Sequence, residues 1–139
     1  MTEYKATCQC EQFGLTLEGK PKFVNACACR NCQRQSGGPI GVGVFFEQSA
    51  LVEKRGMFKT YTRTTDKGNT AIQYFCPECG NELYWETGAV PGCYGVSWGA
   101  IENPEEFNPN WLVWARSLPA WVKVDGIRHF ETQPEPPNN

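Results

Sequence analysis

The sequence predicts a β-rich domain, and three observations carry that reading. Short apolar and alternating runs are cut at close intervals by glycine and proline turns. Helical periodicity is nearly absent, and cysteines gather in tight clusters, some at the ends of those runs. Many short strands of this kind indicate an all-β or β-rich fold, too fragmented for one flat sheet. A chain of 139 residues suffices for one domain with its own core, expected over residues 1–132. The tail from Gln133 to Asn139 is proline-rich and polar and is expected to be disordered.

The elements follow in chain order. Phe13, Leu15 and Leu17 alternate with Gly14, Thr16 and Glu18, the period of a half-buried strand. Gly19-Lys20-Pro21 turns the chain into Phe23-Val24-Asn25-Ala26, a strand that delivers Cys27 at its end. Residues from Arg30 to Ser36 are polar and suit one or two helical turns, stopped by Gly37-Gly38-Pro39. Strands resume from Ile40 to Phe46, where Gly41 and Gly43 on one face imply close backbone approach or room for a ligand. Leu51 to Lys54 and Met57 to Thr62 are shorter candidates. The turn Asp66-Lys67-Gly68-Asn69 leads into Thr70 to Phe75, which ends at Cys76. Glu82 to Glu86 and Cys93 to Trp98 are the next strands. Asn103-Pro104 starts a turn or short helix, and Trp111 to Ala115 and Trp121 to Val124 close the domain.

Composition narrows function. The formal charge is -2, without the clustered basic excess of a nucleic-acid groove. The N-terminus Met1-Thr2-Glu3-Tyr4-Lys5 has no apolar run of the secretory kind. No stretch approaches the roughly 18 apolar residues of a membrane span. A cytoplasmic protein is expected. Eight cysteines in that setting point to reduced thiols and metal binding rather than a disulfide framework.

Cys27-Ala28-Cys29-Arg30-Asn31-Cys32 packs three thiols into six residues. Near neighbours cannot form a relaxed disulfide, whereas Zn–S bonds of about 2.3 Å let close sulfurs converge on one ion. Three ligands leave a tetrahedral zinc one open position, the mark of a catalytic site. Cys76-Pro77-Glu78-Cys79-Gly80 is a zinc knuckle between two strands. It needs two partners, from Cys8 and Cys10 or from the triplet, and spacing alone leaves both open.

These motifs resemble those of the glutathione-dependent formaldehyde-activating enzymes, which share a domain with centromere protein V. The likeness runs from Cys8-Gln9-Cys10 to about Phe130. It includes Cys27 to Gly37, Phe75 to Gly80, and Asn103 to Phe107 followed by Trp111 and Trp121. The resemblance implies a β-tent, short antiparallel sheets stapled by zinc. It implies two Zn2+ per chain, a structural ion on Cys8, Cys10, Cys76 and Cys79 and a catalytic ion on Cys27, Cys29 and Cys32. Members often carry His where this chain has Ala28. The implied activity is that of a carbon–sulfur lyase on a thiol–aldehyde adduct, such as S-hydroxymethylglutathione formed from glutathione and formaldehyde. The alternative is a non-catalytic, zinc-stapled protein-binding module.

Other residues have plainer readings beside functional ones. Arg30 and Arg34 flank the triplet and suit the carboxylates of glutathione, against simple solvation. Cys93 reads as a buried structural thiol, or else as a fourth ligand closing the second site. His129, the only histidine, is expected to stand apart from the chemistry. Trp85, Trp98, Trp111, Trp114 and Trp121 read as core rather than as a substrate platform.

Overall fold

A computed structural model describes residues 1–134. Part of the expected disordered tail, residues 135–139, lies outside the described residues. The protein is mainly β, built of short strands that pair mostly antiparallel. It divides into two compact units, one of Met1–Lys22 with Val44–Phe107, the other of Phe23–Gly43 with the chain from Asn108 onward.

In the first unit, β1 (Glu3–Thr7), β2 (Gly14–Glu18) and β5 (Leu51–Arg55) form an antiparallel three-stranded sheet with β2 central. β6 (Lys59–Thr64), β7 (Thr70–Phe75), β8 (Glu82–Thr87) and β9 (Cys93–Ser97) pair antiparallel in succession. Phe13, Leu15, Leu17, Phe46, Leu83 and Tyr84 make the largest part of this unit's core.

The alternation of β2 predicts one wet face, yet Gly14 and Thr16 are buried as well as the leucines. The polar face is covered by the side chains of β5. Arg55 Nη1 donates to Thr16 Oγ1 at 2.9 Å, and Thr16 Oγ1 donates to Glu53 Oε1 at 3.2 Å. A Cβ on Gly14 would meet Arg55 Nη2 at 2.5 Å, so the sequence packs charge over backbone there.

β1 was not expected, because Glu3-Tyr4-Lys5-Ala6-Thr7 has a weak apolar pattern. It forms as an edge strand because Ala6 pairs with Leu15 and bridges Ile101. Tyr4 packs against Phe46 and Phe107, with ring centroids 5.8 and 5.2 Å away.

The second unit holds β3 (Phe23–Cys27), the helix α1 (Arg30–Ser36), β10 (Trp111–Val113) and β11 (Arg128–His129), and begins the strand β4 (Gly41–Glu47). Here β10 runs parallel to both β3 and β11. Ala26, Ala28 and Leu112 are its buried centre, with Ile40, Val42, Leu118, Val124 and Ile127 packed around them. Trp111 Nε1 donates to Asn25 Oδ1 at 2.7 Å, which satisfies a partly buried indole across the strand pair.

The strand expected from Trp121 to Val124 does not form. Pro119 starts a turn closed by the Val122 N–H on its carbonyl at 3.0 Å, and Trp121 is 77% exposed. The free edge of β10 is taken instead by Arg128 and His129.

Candidate metal centres

The first centre is built in the first unit from the end of β1 and the knuckle after β7. Cys8 opens a tight loop in which its N–H donates to Phe13 O and the Glu11 N–H returns to Cys8 O, both at 2.9 Å. Phe13 N–H then points at Cys8 Sγ, 3.3 Å away. In the knuckle, the N–H groups of Glu78 and Cys79 aim at Cys76 Sγ from 3.4 and 3.5 Å. Gly80, with φ of 76°, donates to Cys76 O at 2.8 Å and closes the turn without Cβ strain. Gln9 N–H on Asn81 Oδ1, at 2.9 Å, fastens one loop to the other.

This folding places the sulfurs of Cys8, Cys10, Cys76 and Cys79 within 4.8 Å of one another. Cys10 Sγ lies 3.7 Å from Cys8 Sγ and 3.6 Å from Cys76 Sγ. A tetrahedron with Zn–S bonds of about 2.3 Å has S···S edges of about 3.8 Å, so the donor set fits zinc. The electrostatics agree. Burial pushes the Cys76 thiol up, but the Cys79 N–H, the Gln12 amide and the Glu78 N–H outweigh it and leave it at about 6. Cys10 is pushed up to about 12: a Gln12 backbone hydrogen bond lowers it, but burial and the neighbouring sulfurs dominate. A cation among the four sulfurs removes that mutual penalty.

The second centre belongs to the second unit. β3 carries Cys27 opposite Val113 of β10, and the Ala28 N–H donates to Val113 O at 3.0 Å. Cys29 is the N-cap of α1, with φ of -64° and ψ of 156°, and its Sγ accepts the Cys32 N–H at 3.3 Å. The Cys29 N–H reaches Cys27 Sγ at 3.5 Å. α1 ends at Gly37, in the left-handed region with φ of 76°.

The sulfurs of Cys27, Cys29 and Cys32 lie within 4.8 Å of one another. Among the described residues, no fourth His, Cys, Asp or Glu joins them. Contacts from the Cys27 and Cys32 thiols, with the Cys32 N–H, hold Cys29 down at about 2. Cys27 is pushed up to about 12, first by Cys29, and Cys32 is pushed up by both neighbours. Crowded in this way, the sulfurs oppose one another's ionisation. A divalent ion would let all three ionise, so this donor set also fits a thiophilic metal.

The surroundings of the triplet are specific. A Cβ on Gly41 would stand 3.2 Å from Cys32 Cβ and 3.3 Å from its carbonyl oxygen, so Gly41 permits the close approach its position implied. Ala28 is fully buried in the apolar core of this unit, where a larger polar side chain would be costly. Arg30 Nη1 donates to Gln33 Oε1, and Gln33 Nε2 donates to Pro39 O and Ser117 O, each at 3.2 Å. Arg34 is exposed in the last turn of α1.

The remaining candidates separate from the centres. Cys93 is buried in β9 and belongs to neither sulfur group. His129 is exposed, and its Nε2 is 2.7 Å from Val124 O, a loop contact. Sequence reasoning missed Gln12, Gln33 and Arg116. Gln12 Nε2 donates to Cys76 Sγ at 2.9 Å and to Met57 O at 2.7 Å. Arg116 lies with its guanidinium carbon 4.9 Å from the Trp114 ring centroid. Trp114 has φ of 58°, a conformation costing a non-glycine residue about 1–3 kcal/mol.

A mainly β fold with two sulfur-only donor sets, one of four and one of three, defines a cysteine-rich protein able to hold metal. The chain belongs to the glutathione-dependent formaldehyde-activating enzyme family, whose family model matches residues 3–117. In fold it is similar to a Rhodobacter sphaeroides protein of known crystal structure, with a TM-score of 0.57 and 24% identity. That likeness covers 71% of this chain and 88% of the other. No curated protein matches the chain. Among the described residues no helix is long and apolar enough to cross a membrane.

Proposed function

We propose that the protein is a zinc-dependent carbon–sulfur lyase that makes or breaks an adduct of a thiol with an aldehyde. S-hydroxymethylglutathione, from glutathione and formaldehyde, is the adduct that family membership favours. In this reading Cys8, Cys10, Cys76 and Cys79 hold a structural zinc, and Cys27, Cys29 and Cys32 hold a catalytic one. The observation that carries it is the unequal pair of sulfur sets, four in one and three in the other. A four-sulfur site is closed, whereas a three-sulfur site keeps a position for an incoming thiol.

A zinc ion at the triplet would keep a substrate thiol ionised at neutral pH. The protein's own part is to hold Cys29 by the Cys32 N–H, and α1 by Gln33. The substrate thiolate adds to the aldehyde carbon. A C–S bond forms, the carbonyl π pair moves to oxygen, and that oxygen takes a proton from solvent. The lyase direction breaks the same C–S bond and returns the proton. Arg30 and Arg34 meet substrate carboxylates, as guanidinium forks do well. The eight free thiols suit a reducing cytoplasm.

Carbon-13 exchange spectroscopy on formaldehyde and glutathione tests the reading. Protein with both centres zinc-loaded should speed exchange between free and adduct carbon, and Cys29→Ser should abolish the effect. Exchange at the uncatalysed rate with fully loaded protein would overturn it and favour the binding module.

A further inference from the structure

We infer that Trp114 and Arg116 form a carboxylate-reading element for the substrate of the three-thiol centre, which makes that substrate an anionic thiol rather than any small thiol. The inference rests on the thiol–aldehyde reading of that centre, and four observations in the second unit support it.

The first is placement. Val113 lies opposite Cys27 and accepts the Ala28 N–H at 3.0 Å, so Trp114 is the next residue on the strand neighbouring the triplet. The second is fastening. The short 3-10 helix Ala115–Ser117 is tied back to α1 where Ser117 O accepts from Gln33, the residue after Cys32. Arg116 therefore sits between two anchors, each adjoining a cysteine of the centre.

The third observation is the backbone. Trp114 has φ of 58° and ψ of 37°, left-handed values that a bulky residue holds only when its surroundings insist. That turn puts the half-buried indole under the Arg116 guanidinium, at 4.9 Å. Stacking on the ring face leaves the in-plane N–H fork of arginine available and limits its rotamers before any ligand arrives.

The fourth is charge. Ion pairs such as Lys22–Glu47 and Arg55–Glu53 lie elsewhere, and among the described residues no carboxylate pairs with Arg116. Arg30 stands in the same unit, held by Gln33 Oε1. Two held guanidinium groups, Arg116 on Trp114 and Arg30 on Gln33, thus belong to segments that adjoin the cysteines of a centre whose thiolates are negative. A substrate thiolate adds more negative charge there, so cations that also pair with its carboxylates gain twice. The chemical class that fits is a peptide-like thiol carrying free carboxylates.

The test uses the zinc-loaded full chain and the tripeptide γ-Glu-Ala-Gly, which has the carboxylates of glutathione but no sulfur to ligate metal. Calorimetry should detect binding to the native protein, and Arg116→Gln should weaken it about tenfold or more. Arg116→Lys should recover only part of the loss, since it keeps charge but not the planar fork. Zinc content and thermal midpoint should be unchanged in both variants. Equal affinity in native and Arg116→Gln protein, or no binding to the native protein, would overturn the inference. Accelerated adduct exchange with Arg116-independent tripeptide binding sinks the element and leaves the lyase standing. Arg116-dependent tripeptide binding without accelerated exchange supports the element as a binding site and removes the lyase.

Discussion

The side-chain amide of Gln12 donates to the sulfur of Cys76 at 2.9 Å, and its oxygen accepts the Met57 N–H at 2.9 Å. One side chain thus ties a loop to a sulfur of the four-cysteine centre. An N–H aimed at a thiolate disperses its charge, so it acts on stability through the centre rather than through packing. Gln12→Leu should lower stability by about 1–3 kcal/mol in chemical denaturation, the cost of losing hydrogen bonds to a charged group. It should also speed zinc release to a chelator, with the second centre unaffected.

The two centres should respond differently to loss of one ligand. A structural zinc can contribute on the order of 10 kcal/mol of apparent binding free energy to folding. Cys8 and Cys76 are buried with the core of the first unit. Cys76→Ser or Cys8→Ser should therefore cause severe loss of thermal stability, while Cys29→Ser leaves a folded protein with impaired activity. Melting curves with equal losses in all three variants would contradict this division.

Gly41 offers a steric test of the triplet. A methyl group there would press on Cys32 Cβ and its carbonyl, both nearer than 3.4 Å. Gly41→Ala should move α1 and reduce zinc stoichiometry toward one per chain. The four-sulfur centre should stay loaded, as metal analysis after gel filtration would reveal.

All eight cysteines are free, and the sulfur groups explain seven of them without a disulfide. Alkylation under denaturing, non-reducing conditions with chelator should modify eight thiols. A mass two hydrogens short for a native bridge would contradict the reading.

What could be read ahead of the structure was local. The knuckle at Cys76–Gly80 and the helix from Arg30 to Ser36 depend on neighbours in sequence, and both stand where expected. The joining of Cys8 and Cys10 to Cys76 and Cys79 depends on tertiary placement, which spacing left open between two sources. β1 escaped notice because its stability comes from Tyr4 and Ala6 meeting distant partners. Trp121 was read as core, yet it sits in a turn set by Pro119, where no neighbouring strand needs it. Arg116 carried no motif at all. Its interest arises only once Trp114 turns left-handed and Ser117 is bound to Gln33.

The central claim is one closed and one open thiolate site, and X-ray absorption at the zinc edge tests it most directly. Protein loaded with two zinc ions and no added thiol should average about 3.5 sulfurs per zinc, the mean of a four-sulfur and a three-sulfur set. Adding glutathione should raise the average to about four, as a sulfur replaces a lighter ligand at the triplet. Four sulfurs per zinc before any thiol is added, or an average that glutathione leaves unchanged, would contradict the account.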